Sequence, residues 1–234
     1  MNDKSSNVII ALDYNSASAA NHFVDSVSPG LCKLKVGKEL FTLAGPKFVK
    51  GLVDRGFDVF LDLKFHDIPN TVSRAVKVAA DLGVWMTDVH ASGGRRMMED
   101  SRNMLDQCGS DMLLIAVTVL TSFVQEDLAE IGMHCTPEEQ VCRLATLAQS
   151  SGMDGVVSSA MESAGLRQTL GSDFVLVTPG IRPASAGGDD QRRVVTPTKA
   201  MESGSSYLVI GRPITQSDNP VETLLAINRE ISQD

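Results

Sequence analysis

The chain has 234 residues, 43% of them hydrophobic and 21% charged, which suits one sizeable α/β core and excludes a disordered polymer. Its formal net charge of −8 disfavours a nucleic-acid surface or an anionic membrane as the main partner, although a local arginine or backbone nest can still hold a small anion. The polar start MNDKSSN does not read as a signal peptide, and the longest apolar run, 112–120, is too short to span a bilayer, so a cytoplasmic protein is expected.

Short apolar runs rich in Val, Ile and Leu alternate with longer amphipathic segments, the pattern of βα units. The spacing predicts strands over 8–13, 31–36, 59–64, 85–90, 113–120, 155–159, 174–178 and 207–211. It predicts helices over 16–26, 41–55, 71–82, 95–107, 137–150, 161–170, 197–202 and 220–231. Asn70 is the expected N-cap of the third helix, and Pro46 should delay or bend the second. Gly56, Gly83, Gly152, Gly171 and Gly204 fall where left-handed C-terminal residues are expected. Eight strands, each followed by a helix, close most naturally into a single (β/α)8 TIM barrel, one catalytic domain over 1–234. An open doubly wound sheet is the competing arrangement, but the first strand runs into ALDYNSAS, without the glycine-rich turn such folds use. Cys32, Cys108, Cys135 and Cys142 show no metal-binding spacing and read as reduced thiols.

A barrel collects its chemistry at the C-terminal ends of its strands. Asp13 ends the first, Lys35 nearly ends the second, and Asp62 and Lys64 end the third. His90 ends the fourth, Thr121 follows the fifth, Ser159 ends the sixth and Arg212 follows the eighth. In the stretch FLDLKFHDIPNT, strand periodicity puts Phe60, Asp62 and Lys64 on one face, with Asp67 one loop away. Charges are expensive to remove from water unless paired, so this cluster marks a candidate site. The plain alternative is a solvated strand end with a surface ion pair; the strand before the cluster is too apolar for an edge. Lys33, at the start of its strand, is expected to snorkel to the bottom of the barrel, and His90 suits packing or hydrogen bonding better than metal ligation.

The longest irregular stretch, PGIRPASAGGDDQRRVVT from Pro179 to Thr196, holds glycines, prolines and three arginines. Long loops in compact domains are more often functional than accidental, a surface insertion being the alternative. With Gly211 and Arg212 after the eighth strand it reads as a phosphate site, Arg182 and Gln191 serving as arms of a closing lid.

LDLKFHDIPNT resembles the signature of the orotidine 5'-phosphate decarboxylase family, and the likeness continues in order through ALDY, LKVGKELF, VHASGG, VTVLTS, LVTPGIRP, GDDQRR and VIGRPIT. The resemblance, closest to the bacterial form, implies decarboxylation of orotidine 5'-monophosphate to uridine 5'-monophosphate in pyrimidine synthesis, with no metal or organic cofactor. It implies a catalytic network of Lys35, Asp62, Lys64 and Asp67, in which Lys64 protonates C6, Asp62 sits beside the departing carboxylate and Asp67 comes from the other subunit of a homodimer. Asp13 and Lys35 would bind the ribose, with Thr71 reaching over from the partner, and Thr121 would lie near the pyrimidine. Gln191, Gly211 and Arg212 would hold the phosphate, and Arg182 the loop that shuts over it. Ile68, Ser159 and Pro179 complete the expected substrate contacts. Two alternatives stand beside this reading: a metal-dependent sugar-phosphate decarboxylase reusing the Asp-x-Lys-x-x-Asp strand, and a non-catalytic barrel that binds a nucleotide.

Overall fold

The computed structural model describes residues 6–183 and 195–232. Eight parallel strands close into a barrel in simple sequential order: β1 (Val8–Ala11), β2 (Lys33–Gly37), β3 (Val59–Phe65), β4 (Met86–His90), β5 (Leu113–Val117), β6 (Gly155–Val157), β7 (Val175–Thr178) and β8 (Tyr207–Ile210), with β8 pairing back onto β1. The helices are α1 (Ala17–Val24), α2 (Lys38–Asp54), α3 (Pro69–Asp81), α4 (Arg95–Cys108), α5 (Gln125–Glu130), α6 (Pro137–Ser150), α7 (Ser163–Leu170), α8 (Pro197–Glu202), α9 (Arg212–Thr215) and α10 (Pro220–Ile231). The expected TIM barrel is therefore the fold, and the open sheet is excluded by closure. Among the described residues no helix is long and apolar enough to cross a membrane.

The strands are buried on both faces, and period-two alternation sorts their side chains into two clusters. Val8, Ile10, Leu12, Leu34, Val36, Leu61, Val89, Leu114 and Ala116 face outward under the helices. Ile9, Ala11, Phe60, Met86, Ile115, Val177 and Val209 fill the barrel itself. The floor is closed by Trp85 and Tyr207, which meet edge to face at 4.9 Å, and by Lys33, whose Nζ lies 4.5 Å from the Trp85 ring centre and 2.5 Å from Asp58 Oδ2. Lys33 thus lies at the bottom as expected but does not reach solvent there: it is 3% exposed, because a carboxylate and an aromatic face replace its water. Cavities open at the C-terminal ends of the strands, the end away from this floor.

Several boundaries differ from expectation for local reasons. The third helix starts at Pro69 with Ile68 in the cap position, not at Asn70, because proline's fixed φ and missing N–H suit the first helical turn. The second begins earlier than expected, at Lys38, and breaks at Gly45 (φ 69°) just before Pro46, which delivers the anticipated bend. The fifth strand ends at Val117; Thr118 still donates its N–H to Val157 O at 3.2 Å before the chain turns away. The segment expected as one helix over 161–170 is a 3-10 turn (Ala160–Glu162) followed by α7, while α5 and α9 carry too few residues to show helical periodicity. The anticipated helix-ending glycines all take positive φ, and the four cysteines are free, with burial pushing the Cys32 thiol up to about 12.

β6 packs tightly against β7. A Cβ on Gly155 would lie 2.2 Å from Val175 O and 2.6 Å from Val175 Cβ, and the first is backbone that cannot swing aside. Gly155→Ala should therefore destabilise the barrel by about 1–3 kcal/mol or more, read as a lowered midpoint in urea unfolding with an unchanged m-value.

Candidate active site

The mouth of the barrel is lined by a row of alternating charges. Because β1, β2 and β3 pair in parallel with Ala11 opposite Lys35 and Gly37 opposite Asp62, their inward-facing ionisable residues arrive at one level. Lys35 Nζ stands 3.4 Å from Asp13 Oδ1 and 3.2 Å from Asp62 Oδ2; the other Asp62 oxygen accepts from Lys64 Nζ. Asp13, Lys35, Asp62 and Lys64 are thus one connected chain of opposite charges. Gly37 leaves this chain its space, since a Cβ there would come within 3.1 Å of Lys35 Nζ.

The electrostatics follow from burial and pairing. Burial alone would raise the Asp62 carboxyl, but the Lys35 and Lys64 ammoniums on either side hold it down to about 2. Burial works against the Lys35 ammonium, yet Asp62 and Asp13 carry its pKa above the ordinary lysine value. His90, at the end of β4 with its ring 5.4 Å from that of His66, is lowered to about 4 by burial and by the positive groups around it. It therefore stays neutral near pH 7.

One residue of the site was not anticipated. Asp88, in the middle of β4, is 0% exposed, and its Oδ1 accepts the backbone N–H of Lys64 at 2.8 Å. Its Oδ2 lies 4.0 Å from Lys64 Nζ. The parity argument that located Asp62 also finds it, since Met86 is an interior residue and Asp88 is two positions further on the same strand. An aspartate flanked by Thr87 and Val89 reads in sequence as an isolated polar substitution, and only the strand pairing reveals that it abuts Lys64.

Two adjoining cavities of about 240 and about 350 Å³ open at the mouth and share Asp13, Lys35, Asp62, Lys64 and Leu120. Together they have the size of a small-molecule site. Thr121, Pro179, Arg182, Gly211 and Arg212 line the first, joining the row of charges as expected, along with Val119, Leu120 and Gly180, which the sequence did not single out. Pro179 and Arg182 stand at the root of the long loop, whose ends are clamped by a bridge in which Arg182 N–H donates to Val195 O at 3.0 Å. Gln191 lies outside the described residues, as does the rest of 184–194.

Other expected contacts are not brought to the cavity. Ser159 is buried two residues beyond β6, where its hydroxyl accepts from Met161 N–H and its own N–H donates to Glu162 Oε2 at 2.8 Å; its hydrogen bonds serve the following turn. Asp67, Ile68 and Thr71 are exposed, with Ile68 66% accessible, and none of them lines the cavity of the same chain.

Comparison with known proteins agrees with this geometry. Residues 6–227 match the family model described as orotidine 5'-phosphate decarboxylase / HUMPS family. The orotidine 5'-phosphate decarboxylase of Aliivibrio fischeri (strain MJ11) is 60% identical over 230 residues, covering 98% of this chain and 98% of that protein. That of Pasteurella multocida (strain Pm70) is 60% identical over 227 residues, covering 97% of each. Among solved structures, orotidine 5'-phosphate decarboxylase from Lactobacillus acidophilus superposes with a TM-score of 0.87 at 40% identity, covering 97% of this chain and 99% of that one. An uncharacterized conserved protein from Geobacillus kaustophilus gives 0.83 at 39% identity, covering 96% and 99%. With its closed barrel, its charged mouth and relatives that match along nearly its whole length, the chain belongs to the orotidine 5'-phosphate decarboxylase / HUMPS family.

Proposed function

We propose that this chain decarboxylates orotidine 5'-monophosphate to uridine 5'-monophosphate at the barrel mouth, with Lys64 as the proton donor. The observation that carries the reading is the row Asp13, Lys35, Asp62 and Lys64 lining one cavity together with Gly211 and Arg212, Gly211 lying beside Asp13. The relatives named for this activity support the choice of substrate.

The chemistry asks for localised charge stabilisation. When the C6–carboxylate bond breaks, carbon dioxide leaves and the electron pair stays on C6 in the ring plane, where the ring π-system cannot delocalise it. A fixed ammonium answers this directly: at ~4 Å, opposite unit charges attract by ~4 kcal/mol at an effective dielectric near 20. Lys64 Nζ then passes its proton to C6 and regains one from solvent. Asp62 aims that ammonium and Lys35 anchors Asp62 from its other oxygen, so the donor is placed before substrate arrives. Asp13 and Lys35 suit the ribose hydroxyls, as acceptor and donor, and Thr121 suits the pyrimidine. Gly211 and Arg212 suit the phosphate, assisted by Arg182 at the loop root and by Gln191. Because the phosphate lies away from the reacting carbon, its binding energy can drive loop closure and exclusion of water.

Asp67, Ile68 and Thr71 face outward on one short stretch, which supports a homodimer in which they complete the neighbouring subunit's site. The reading is of a cytoplasmic enzyme, one catalytic unit over the whole chain, that needs no metal or organic cofactor.

Followed by ultraviolet absorbance in the presence of EDTA, the wild type should consume orotidine 5'-monophosphate at its full rate. A loss of that activity on chelation would favour the metal-dependent sugar-phosphate reading. Under the same conditions Lys64→Ala should lose about 10²–10⁴-fold or more in kcat while still binding uridine 5'-monophosphate, and full turnover would remove Lys64 from the mechanism. Mixing Lys64→Ala chains with Asp67→Asn chains should restore roughly a quarter of wild-type activity, because each hybrid dimer carries one site built from two intact halves. No recovery despite demonstrated subunit exchange would mean that Asp67 serves its own chain. The Asp62 carboxyl, held at about 2 against an ordinary value of 3.8, contributes stability that is complete above the ordinary value and is lost as pH falls through about 2. The stability difference between wild type and Asp62→Asn should accordingly shift by about 2 kcal/mol between pH 5 and pH 1.5, measured by urea unfolding.

A further inference from the structure

Asp88 is the buried ionisable group that the chemistry above leaves without a role. Its surroundings define one. Opposite it, β3 carries an irregularity: Phe60 pairs with Met86 and Leu61 with Thr87, but the next partner of Val89 is Phe65, so the stretch containing Asp62 and Lys64 bulges out of the ladder. Lys64 takes φ 52°, the left-handed region that a long side chain adopts only under constraint, and it is the one such non-glycine among the described residues. Its N–H has lost a strand partner and is caught by Asp88 Oδ1 at 2.8 Å. The side chain of Asp88 thus stands in for the missing rung and sets the direction in which Lys64 leaves the backbone.

The second oxygen decides the charge state. Asp88 Oδ2 is buried and meets no donor among the described residues, with the Lys64 ammonium 4.0 Å away, while the Asp62 carboxyl is within hydrogen-bonding reach of Asp88. Two carboxyl groups so placed bond only if one keeps its proton. Asp62 is paired with two ammoniums and stays ionised; Asp88, wholly enclosed, is the one that holds the proton. The same environment pushes Asp88 well above the usual carboxylate range, through burial first and the Asp62 charge second.

We infer that Asp88 is a positioning residue that works as a neutral carboxylic acid, accepting the Lys64 N–H on one oxygen and donating its proton from the other to Asp62. In this role it joins the backbone of the proton donor to the carboxylate that aims the donor's side chain, so the two cannot drift apart. The inference rests on Lys64 being the proton donor proposed above. A neutral acid has the shape and the hydrogen-bonding pattern of an amide, so asparagine should replace it and alanine should not.

The test uses the intact protein in three forms. Asp88→Asn should keep kcat within about threefold of wild type, with substrate KM and thermal midpoint little changed. Asp88→Ala should lose about a hundredfold in kcat, as expected of a displaced donor, with KM moved far less. At neutral pH the infrared difference spectrum of wild type minus Asp88→Asn should contain a protonated-carboxyl C=O stretching band, which does not depend on activity. Absence of that band, or a hundredfold loss in Asp88→Asn, would show that the ionised carboxylate is the working form and overturn the proposal. A folded Asp88→Ala with wild-type kcat would overturn it equally; should that variant fail to fold, the asparagine kinetics and the infrared band decide. Should Lys64→Ala prove fully active, the donor assignment falls by that result, while the infrared band continues to report on Asp88 by itself.

Discussion

The structure of the barrel mouth depends on holding alternating carboxylates and ammoniums together, with Lys35 and Asp62 buried and Asp13 at the exposed end of the row. Separately, Lys35 and Asp62 would each be costly to bury; as members of the row Asp13, Lys35, Asp62 and Lys64, each finds an opposite charge at contact distance. The apolar barrel filling beneath them, with Phe60 and Met86 at its centre, keeps the local dielectric low, so the charges act strongly on one another and on anything placed among them. A surface cluster of the same composition would be screened and loosely held.

The floor and the mouth of the barrel show the same physics put to different uses. At the floor, Lys33 is neutralised by Asp58 and covered by Trp85 and Tyr207. At the mouth, Lys35 is likewise paired, but its partners border open volume and Gly37 keeps that volume clear. The β3 bulge belongs to this end alone. There Lys64 leaves the regular ladder at φ 52°, Asp88 accepts its N–H, and its side chain still meets Asp62.

The stretch from the end of β3 into α3 divides its residues between two destinations. Asp62 and Lys64 face the cavity, whereas Asp67, Ile68 and Thr71 stand outside it, with Pro69 starting the helix that holds them there. Ile68 is an apolar side chain left 66% exposed, beside an Asp67 carboxylate that pairs with no lysine among the described residues. On the opposite side of the mouth, the Ile181–Val195 bridge joins the described residues that flank 184–194, and Pro179, Gly180 and Arg182 line the cavity along with Gly211 and Arg212.

The sequence by itself determined the architecture and most of the site, because both are written in local periodicity. Eight βα repeats leave few closed arrangements, and period two along β1, β2 and β3 was enough to put Asp13, Lys35, Asp62 and Lys64 on the inner face. Tertiary structure alone decided what periodicity does not encode. Strand register set the contact distances within the row and made Asp88, unremarkable in its own strand, the partner of Lys64. The early turn after Val117 and the local hydrogen bonds of Ser159 likewise depend on neighbours distant in sequence or on loop geometry, so Thr121 reached the cavity and Ser159 did not. The physical reason is common to all of these: a side chain's face is fixed by its own backbone, whereas its partner is fixed by how two separate stretches of chain are aligned.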